Sequence, residues 1–308
     1  MKMNGLWGMV LAAGVLAGCS TERPREVRDL KVLMIGNSFS ICVLRQMPAI
    51  ARSMGCDLDL TSMYIGGCSL ERHWNNLVAS TNADFKPYAY ERNVLGKTIA
   101  CDKPANLLEV LKSDRWDVVT IQQASHFSWK PETYVPYADD LIAGIRKLQP
   151  QAEIVFQETW SYTPWDGRLA KWDITADEMY RRIRLAATDF TRTRGMRMIP
   201  TGAAIDLYRR TLPVVYAANS FGGDPCGGRW GGEFVRGEDG KWKPGKGLDV
   251  FHLGYDGEYL QGLVWTAALF GVDVTECPYA PDYVKDPERV RKMKLCAQQA
   301  VEAARARK

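Results

Sequence analysis

The strongest constraint on this chain is an alternation: five short apolar runs, each followed by a stretch with helical spacing. Residues 31–35 (KVLMI), 58–65, 117–121 (DVVTI), 153–156 (EIVF) and 196–199 read as strands. Helical spacing follows each of them, over 41–54, 105–112, 137–148, 176–193 and 203–210. Strands written as near-continuous apolar runs are buried on both faces. A β-α-β-α order joins such strands in parallel through crossover helices. The expected architecture is therefore a parallel sheet of about five strands with helices on both faces. Ligands in such sheets bind beyond the carboxyl ends of the strands.

Two stretches break the alternation. Residues 80–101 hold aromatic and polar side chains without helical spacing and suit a hairpin insertion. Residues 221–247 are rich in glycine and suit a long loop or hairpin; loops of that length are usually functional or disordered. Residues 278–285 read as a linker, and 286–308 as a closing helix.

The first residues have a separate logic. Lys2 precedes an apolar stretch over 6–17, too short to span a bilayer and the right length for a secretory signal. It ends in Leu16-Ala17-Gly18-Cys19-Ser20. That block resembles the bacterial lipoprotein signature, in which the cysteine becomes the first residue and carries acyl chains. Each buried CH₂ of such chains is worth about 0.8 kcal/mol. The expected organisation is a signal peptide over 1–18, a tether over 19–29, one domain over 30–277, and a linker and helix over 278–308, packed on the domain or extending it. The expected location is outside the cytoplasm, anchored to a bacterial membrane on its periplasmic or cell-surface side.

Charge and cysteine usage narrow the function classes. The 40 basic and 36 acidic residues leave a net charge of +4, too mild and too scattered for a nucleic-acid partner. With Cys19 acylated, Cys42, Cys56, Cys68, Cys101, Cys226, Cys277 and Cys296 remain. Export permits disulfides, and an odd number leaves at least one thiol free unless it bridges to another chain. No C-x-x-C occurs and only three histidines are present, so no metal site is expected.

The chemistry rests on two blocks. Gly36-Asn37-Ser38-Phe39-Ser40 follows the first apolar run directly and precedes a helix. Ser38 then sits on a strand-to-helix turn, where the helix start favours a developing negative charge. A helix N-cap serine would occupy the same place. A nucleophilic serine needs a base, and His73, His126 and His252 are available. His252 closes Asp249-Val250-Phe251-His252, just ahead of an apolar helix over 259–270. A carboxylate three residues before a histidine reaches its Nδ1 when the chain turns, which fixes the tautomer and stabilises the imidazolium. A surface aspartate beside an unrelated core histidine would give the same spelling. His73, beside Trp74, reads as structural.

Together these blocks resemble the SGNH (GDSL-like) hydrolase superfamily, over about residues 31–272. The resemblance implies a flavodoxin-like three-layer α/β/α fold with Ser38, Asp249 and His252 as a catalytic triad. Asn37 stands where that family has an aspartate. The resemblance also implies an oxyanion hole. Its donors would be the backbone N–H groups of Ser38 and Gly67, with Gly66 as the alternative, and a side-chain amide after the third strand. The family supplies an asparagine there; this chain has Gln122 and Gln123, of which Gln122 is expected to serve. No cofactor is implied.

Trp129, Trp160 and Trp165 follow the third and fourth strands, and His126 is expected at the mouth of the site. Rings there either stack on sugar faces or pack in the rim. The expected function is a serine esterase, a carbohydrate acetylesterase acting on a small-molecule or polysaccharide ester. The alternatives are a lipase or thioesterase with a long apolar groove, or a non-catalytic glycan-binding lipoprotein on a hydrolase fold. An α/β-hydrolase is disfavoured because Ser40 stands where its G-x-S-x-G elbow has glycine. No G-x-G-x-x-G or Walker loop supports nucleotide binding.

Overall fold

The computed structural model describes residues 28–212, 224–227, 234–238, 240, 242–245 and 247–306. The expected signal segment, Cys19 and all but the end of the tether lie outside the described residues. The chain runs β1 (Asp29–Gly36), α1 (Ser38–Ile41), α2 (Val43–Ser53), β2 (Asp57–Tyr64) and α3 (Leu70–Ala79). A hairpin of β3 (Tyr88–Val94) and β4 (Lys97–Ala105) follows, then α4 (Leu107–Ser113), β5 (Val118–Ile121), α5 (Tyr137–Leu148) and β6 (Glu153–Gln157). Next come a short α6 (Gly167–Lys171), α7 (Ala176–Thr193), β7 (Arg197–Ile199) and α8 (Thr201–Arg210). A small hairpin of β8 (Phe234–Arg236) and β9 (Trp242–Pro244) precedes α9 (Tyr255–Phe270) and α10 (Pro287–Arg305).

Seven strands form one sheet in the order β4-β3-β2-β1-β5-β6-β7. The five strands from β2 to β7 across that order are parallel. The hairpin expected over 80–101 adds β3 and β4 as an antiparallel wing at one edge. Counted along the chain, the parallel strands lie in the flavodoxin-like order 2-1-3-4-5, so the winding reverses beside β1. The turns after β1, β2 and β5 therefore meet at one edge of the sheet.

Both faces are covered, as the KVLMI run requires. Val32 and Met34 belong to a core shared with α2, α8, α9 and α10, whereas Leu33 and Ile35 belong to one shared with α3, α4 and α5. α9 is apolar on nearly every side and buried along almost its whole length. Each fully buried Leu or Val on it contributes roughly 1.5–3 kcal/mol. α10 packs on it through Met293, Cys296, Ala297, Ala300 and Val301, and Arg305 donates to the Ala267 carbonyl in the last turn of α9 (2.8 Å). The closing helix is thus packed on the domain and completes its core.

The helix expected over 41–54 starts earlier and is split in two at Cys42. The Asn37 side chain accepts a hydrogen bond from Phe39 N–H and caps α1, which moves the helix start back to Ser38. All seven cysteines among the described residues are free thiols; six are buried and Cys101 is exposed.

His73 is structural, as expected. Its ring is fully buried, with Nδ1 2.9 Å from the Tyr88 hydroxyl. Burial lowers its pKa to about 3, helped by the nearby Arg72 charge. The folded protein therefore keeps this ring neutral where the unfolded chain, near its ordinary value of 6.5, takes up a proton. Stability from this group is complete above pH 6.5 and falls toward pH 3, by about 1.4 kcal/mol per pH unit. Denaturant titrations across that range should show a slope shallower by about this amount in His73→Gln than in the parent.

Candidate active site

The turn after β1 is built from close contacts. A Cβ at Gly36 would fall 2.0 Å from Ser40 Oγ, so only glycine fits. Ser40 Oγ donates to the Asn37 carbonyl (3.1 Å), and Ser38 opens α1. As the first helical residue, Ser38 has an N–H without an intrahelical acceptor.

Asn37 locks this turn to its neighbours. The side chain is buried, and its Oδ1 accepts from Phe39 N–H (3.0 Å) and from the Gln122 amide after β5 (2.6 Å). Its Nδ2 donates to the Cys68 carbonyl after β2 (2.9 Å). One amide thus joins the ends of three adjacent strands. The Phe39 carbonyl in turn accepts from Gln157 Nε2 at the end of β6 and from Gln261 Nε2 of α9, each at 2.8 Å.

The segment from Asp249 to His252 comes in from the other end of the chain. Asp249 Oδ1 accepts from the backbone N–H groups of Phe251 (3.1 Å) and His252 (3.0 Å), which curls the segment. Its Oδ2 lies 2.6 Å from His252 Nδ1, and His252 Nε2 lies 2.8 Å from Ser38 Oγ. An ionised carboxylate only accepts, so Nδ1 carries the proton and Nε2 is left to accept from the serine hydroxyl. Burial alone would raise the Asp249 carboxyl. The bonds from the His252 ring and from the two N–H groups outweigh it and hold the carboxyl below its usual range.

The two segments are fastened to each other by aromatic packing. The Phe39 ring stacks on Trp160 at 4.0 Å, and Trp160 Nε1 donates to the Phe251 carbonyl (2.8 Å). Thr163 bonds the Val250 carbonyl, and Gly227 N–H bonds the His252 carbonyl (2.7 Å). The Arg168 guanidinium lies 4.0 Å from the Phe251 ring and 4.1 Å from Tyr162, and forks onto Asp166. No motif or periodicity in the sequence marks Arg168.

A cleft of about 400 Å³ opens on Ser38, Asp249 and His252. The wing contributes Tyr90, Glu91 and Asp102 to its lining, which also includes Tyr64, Arg45 and Glu258. Sequence reasoning placed the hairpin but missed its part in the cleft, because the strand pairing that carries it here is long-range.

Several expected site residues lie elsewhere. Trp160 has no exposed surface and is a core residue under the triad, not a substrate platform. Trp129 is 8% exposed and lines a separate depression with Lys130 and Arg182, both of which sit over its ring. His126 is half-buried against Phe127 and does not line the cleft; burial, then the charges of Arg168 and Lys130, lower its pKa. Gln122 is 1% exposed and gives its amide to Asn37, so its bond goes to the nucleophile turn and not to the cleft. Gln123 is committed to Leu70 N–H, Ala124 N–H and Thr133. Gly67 stands after β2 with φ +61, a conformation that suits glycine, beside the Cys68 carbonyl that Asn37 holds.

Residues 31–223 match the family described as a domain of unknown function, DUF4886. The chain belongs to the DUF4886 family. A DUF4886 protein from Bacteroides uniformis is 27% identical in sequence; the alignment covers 89% of this chain and 95% of that one, with a TM-score of 0.70. A Slackia heliotrinireducens protein proposed as an SGNH hydrolase is 18% identical over 78% and 98% of the two chains, with a TM-score of 0.49. A GDSL-like lipase from Bacteroides thetaiotaomicron is 9% identical over 77% and 84%, with a TM-score of 0.37. No curated protein matches the sequence. The sheet order of this DUF4886 chain is the one that the resemblance to SGNH hydrolases implied.

The Asn37 clamp has a testable asymmetry. At neutral pH an amide can donate to the Cys68 carbonyl and accept from Phe39 and Gln122 at once, and an ionised carboxylate cannot. In Asn37→Asp an ionised carboxylate would face that carbonyl and lose the donor. Denaturant unfolding at neutral pH should show a loss of roughly 1–3 kcal/mol or more. The loss should shrink in acid, because a protonated carboxyl can donate to Cys68 again.

Proposed function

We propose that this chain is a serine esterase that removes O-acyl groups, acetyl in particular, from carbohydrate. The observation that carries the reading is the relay from Asp249 through His252 to Ser38, with contacts of 2.6 and 2.8 Å. Both lie within the range expected of a nucleophile, its base and the group that orients the base. A glycan-binding protein would have no use for that alignment.

The chemistry follows from these positions. His252 Nε2 takes the proton of Ser38 as Oγ adds to the ester carbonyl, and Asp249 stabilises the imidazolium. The N–H groups of Ser38 and Gly67 bind the oxyanion. Gln122 acts from behind, through Asn37. His252 then protonates the departing alcohol, and the acyl group stays on Ser38. Water, deprotonated by His252, attacks the acyl-enzyme and releases the carboxylic acid. A sugar ester is favoured over a lipid because Arg45, Tyr64, Tyr90, Glu91, Asp102 and Glu258 interrupt the apolar lining that Ile41, Cys42, Ala89 and Leu253 supply. A lipase would bury an acyl chain against apolar walls.

A serine-directed fluorophosphonate should label the protein once, at Ser38. Ser38→Ala and His252→Ala should each remove nearly all acetate release from acetylated polysaccharides, and the double variant should cost little more. Asp249→Asn should lower kcat by about 10⁴-fold, by favouring the wrong tautomer. Full labelling and turnover in Ser38→Ala would end this reading.

The same proposal includes export and anchoring through Cys19. Cells making the full chain should incorporate palmitate into it and retain it in membranes, and Cys19→Ala should abolish both. A soluble parent protein with an unmodified Cys19 would remove the anchor.

A further inference from the structure

The wing sets the electrical character of the cleft. Tyr90 pairs with Lys103 and Arg92 pairs with Ala100, so Cys101 and Asp102 together oppose Glu91. This is a β-bulge, a device that re-aims side chains. Asp102 holds a left-handed backbone within it, with φ 51. Glu91 and Asp102 both line the cleft that opens on Ser38. Burial, then the Asp102 charge, pushes the Glu91 carboxyl upward, so the two carboxylates act on each other across this wall.

The remaining charges in the lining are already matched. Asp249 serves the His252 ring, and the buried Glu258 is paired with Arg45. The Cys101 thiol beside Glu91 brings no positive charge, and the Arg45 charge that reaches Glu91 is shared with its ion pair to Glu258. Arg45 is the one permanent cation among the described lining residues, against four carboxylates. A cleft lined mostly by one sign of charge focuses its field on whatever enters.

We propose that the wing makes this esterase select acetylated glycans that are neutral or carry amino groups and reject those that carry uronate, with Glu91 and Asp102 as the specificity-determining residues. The inference rests on the esterase reading and names the substrate class of that same site. Neutral sugars gain hydroxyl donors' bonds to the two carboxylates, an ammonium gains attraction, and a uronate meets repulsion next to the nucleophile.

The test compares kcat/KM of the full chain on the O-acetylated methyl glycosides of glucose, glucosamine and glucuronic acid. A small activated acetate ester without a sugar serves as the reference. At low salt the glucuronide should be slower than the glucoside by about tenfold, the lower end of the range for electrostatic steering. The ratio should close toward one in about 1 M salt, where the screening length falls to about 3 Å. It should also close at low salt in the double variant Glu91→Gln, Asp102→Asn; asparagine tolerates the left-handed backbone, which keeps the bulge. A glucuronide turned over as fast as the glucoside, or a ratio that neither salt nor the double variant moves, overturns the inference. If the activated ester is cleaved through Ser38 but no glycoside is, the substrate class is wrong and the esterase stands. If the activated ester is not cleaved either, both readings fall.

Discussion

The site depends first on one buried amide. Strands β2, β1 and β5 are neighbours in the sheet, so their carboxyl ends bring three turns together. Backbone turns placed side by side still need a common reference, and the Asn37 side chain supplies it. It accepts from Phe39 and Gln122 and donates to Cys68. Polar groups this deeply buried are costly when unmatched and stiffening when matched. The direction of Ser38 Oγ is inherited from that stiffness.

The second half of the site hangs on packing. Asp249 and His252 reach Ser38 from the far end of the chain, and aromatic contact holds them there. Phe39 is next to the nucleophile and Phe251 is next to the base; Trp160 stacks on the first ring and bonds the backbone of the second. The order of the relay is therefore maintained by a core contact that no reactant touches. α9 fixes the same turn from the other face through Gln261, and its burial keeps that anchor still.

Much of this was legible in the sequence, for physical reasons. Apolar runs such as KVLMI report burial on both sides, and burial decides which segments become strands. The serine and the Asp-x-x-His spelling report local geometry, since three residues suffice for Asp249 to curl back on His252. The roles of Trp160, Trp129 and Gln122 were not legible. A tryptophan after a strand has the same spelling whether it faces a cleft or the core, and only the path of the chain over it decides. Gln122 is similar: its amide could have reached the cleft, but Asn37 offers it an acceptor behind the serine. The wing was readable as a hairpin, yet its bulge and its place against the cleft come from pairing with β2, which no local pattern encodes.

Ser38 and His252 are 214 positions apart and meet only once the sheet has assembled. In the proposed mechanism the nucleophile is made early in synthesis, and the base that activates it arrives near the end. Until then the serine is an ordinary hydroxyl, whatever else has folded around it. Between the two lie all the strands of the sheet except β1, so in the proposed mechanism reactivity appears only in a molecule whose whole architecture is in place. On the esterase reading a truncated or half-threaded chain is chemically silent, and the fold acts as its own timing device.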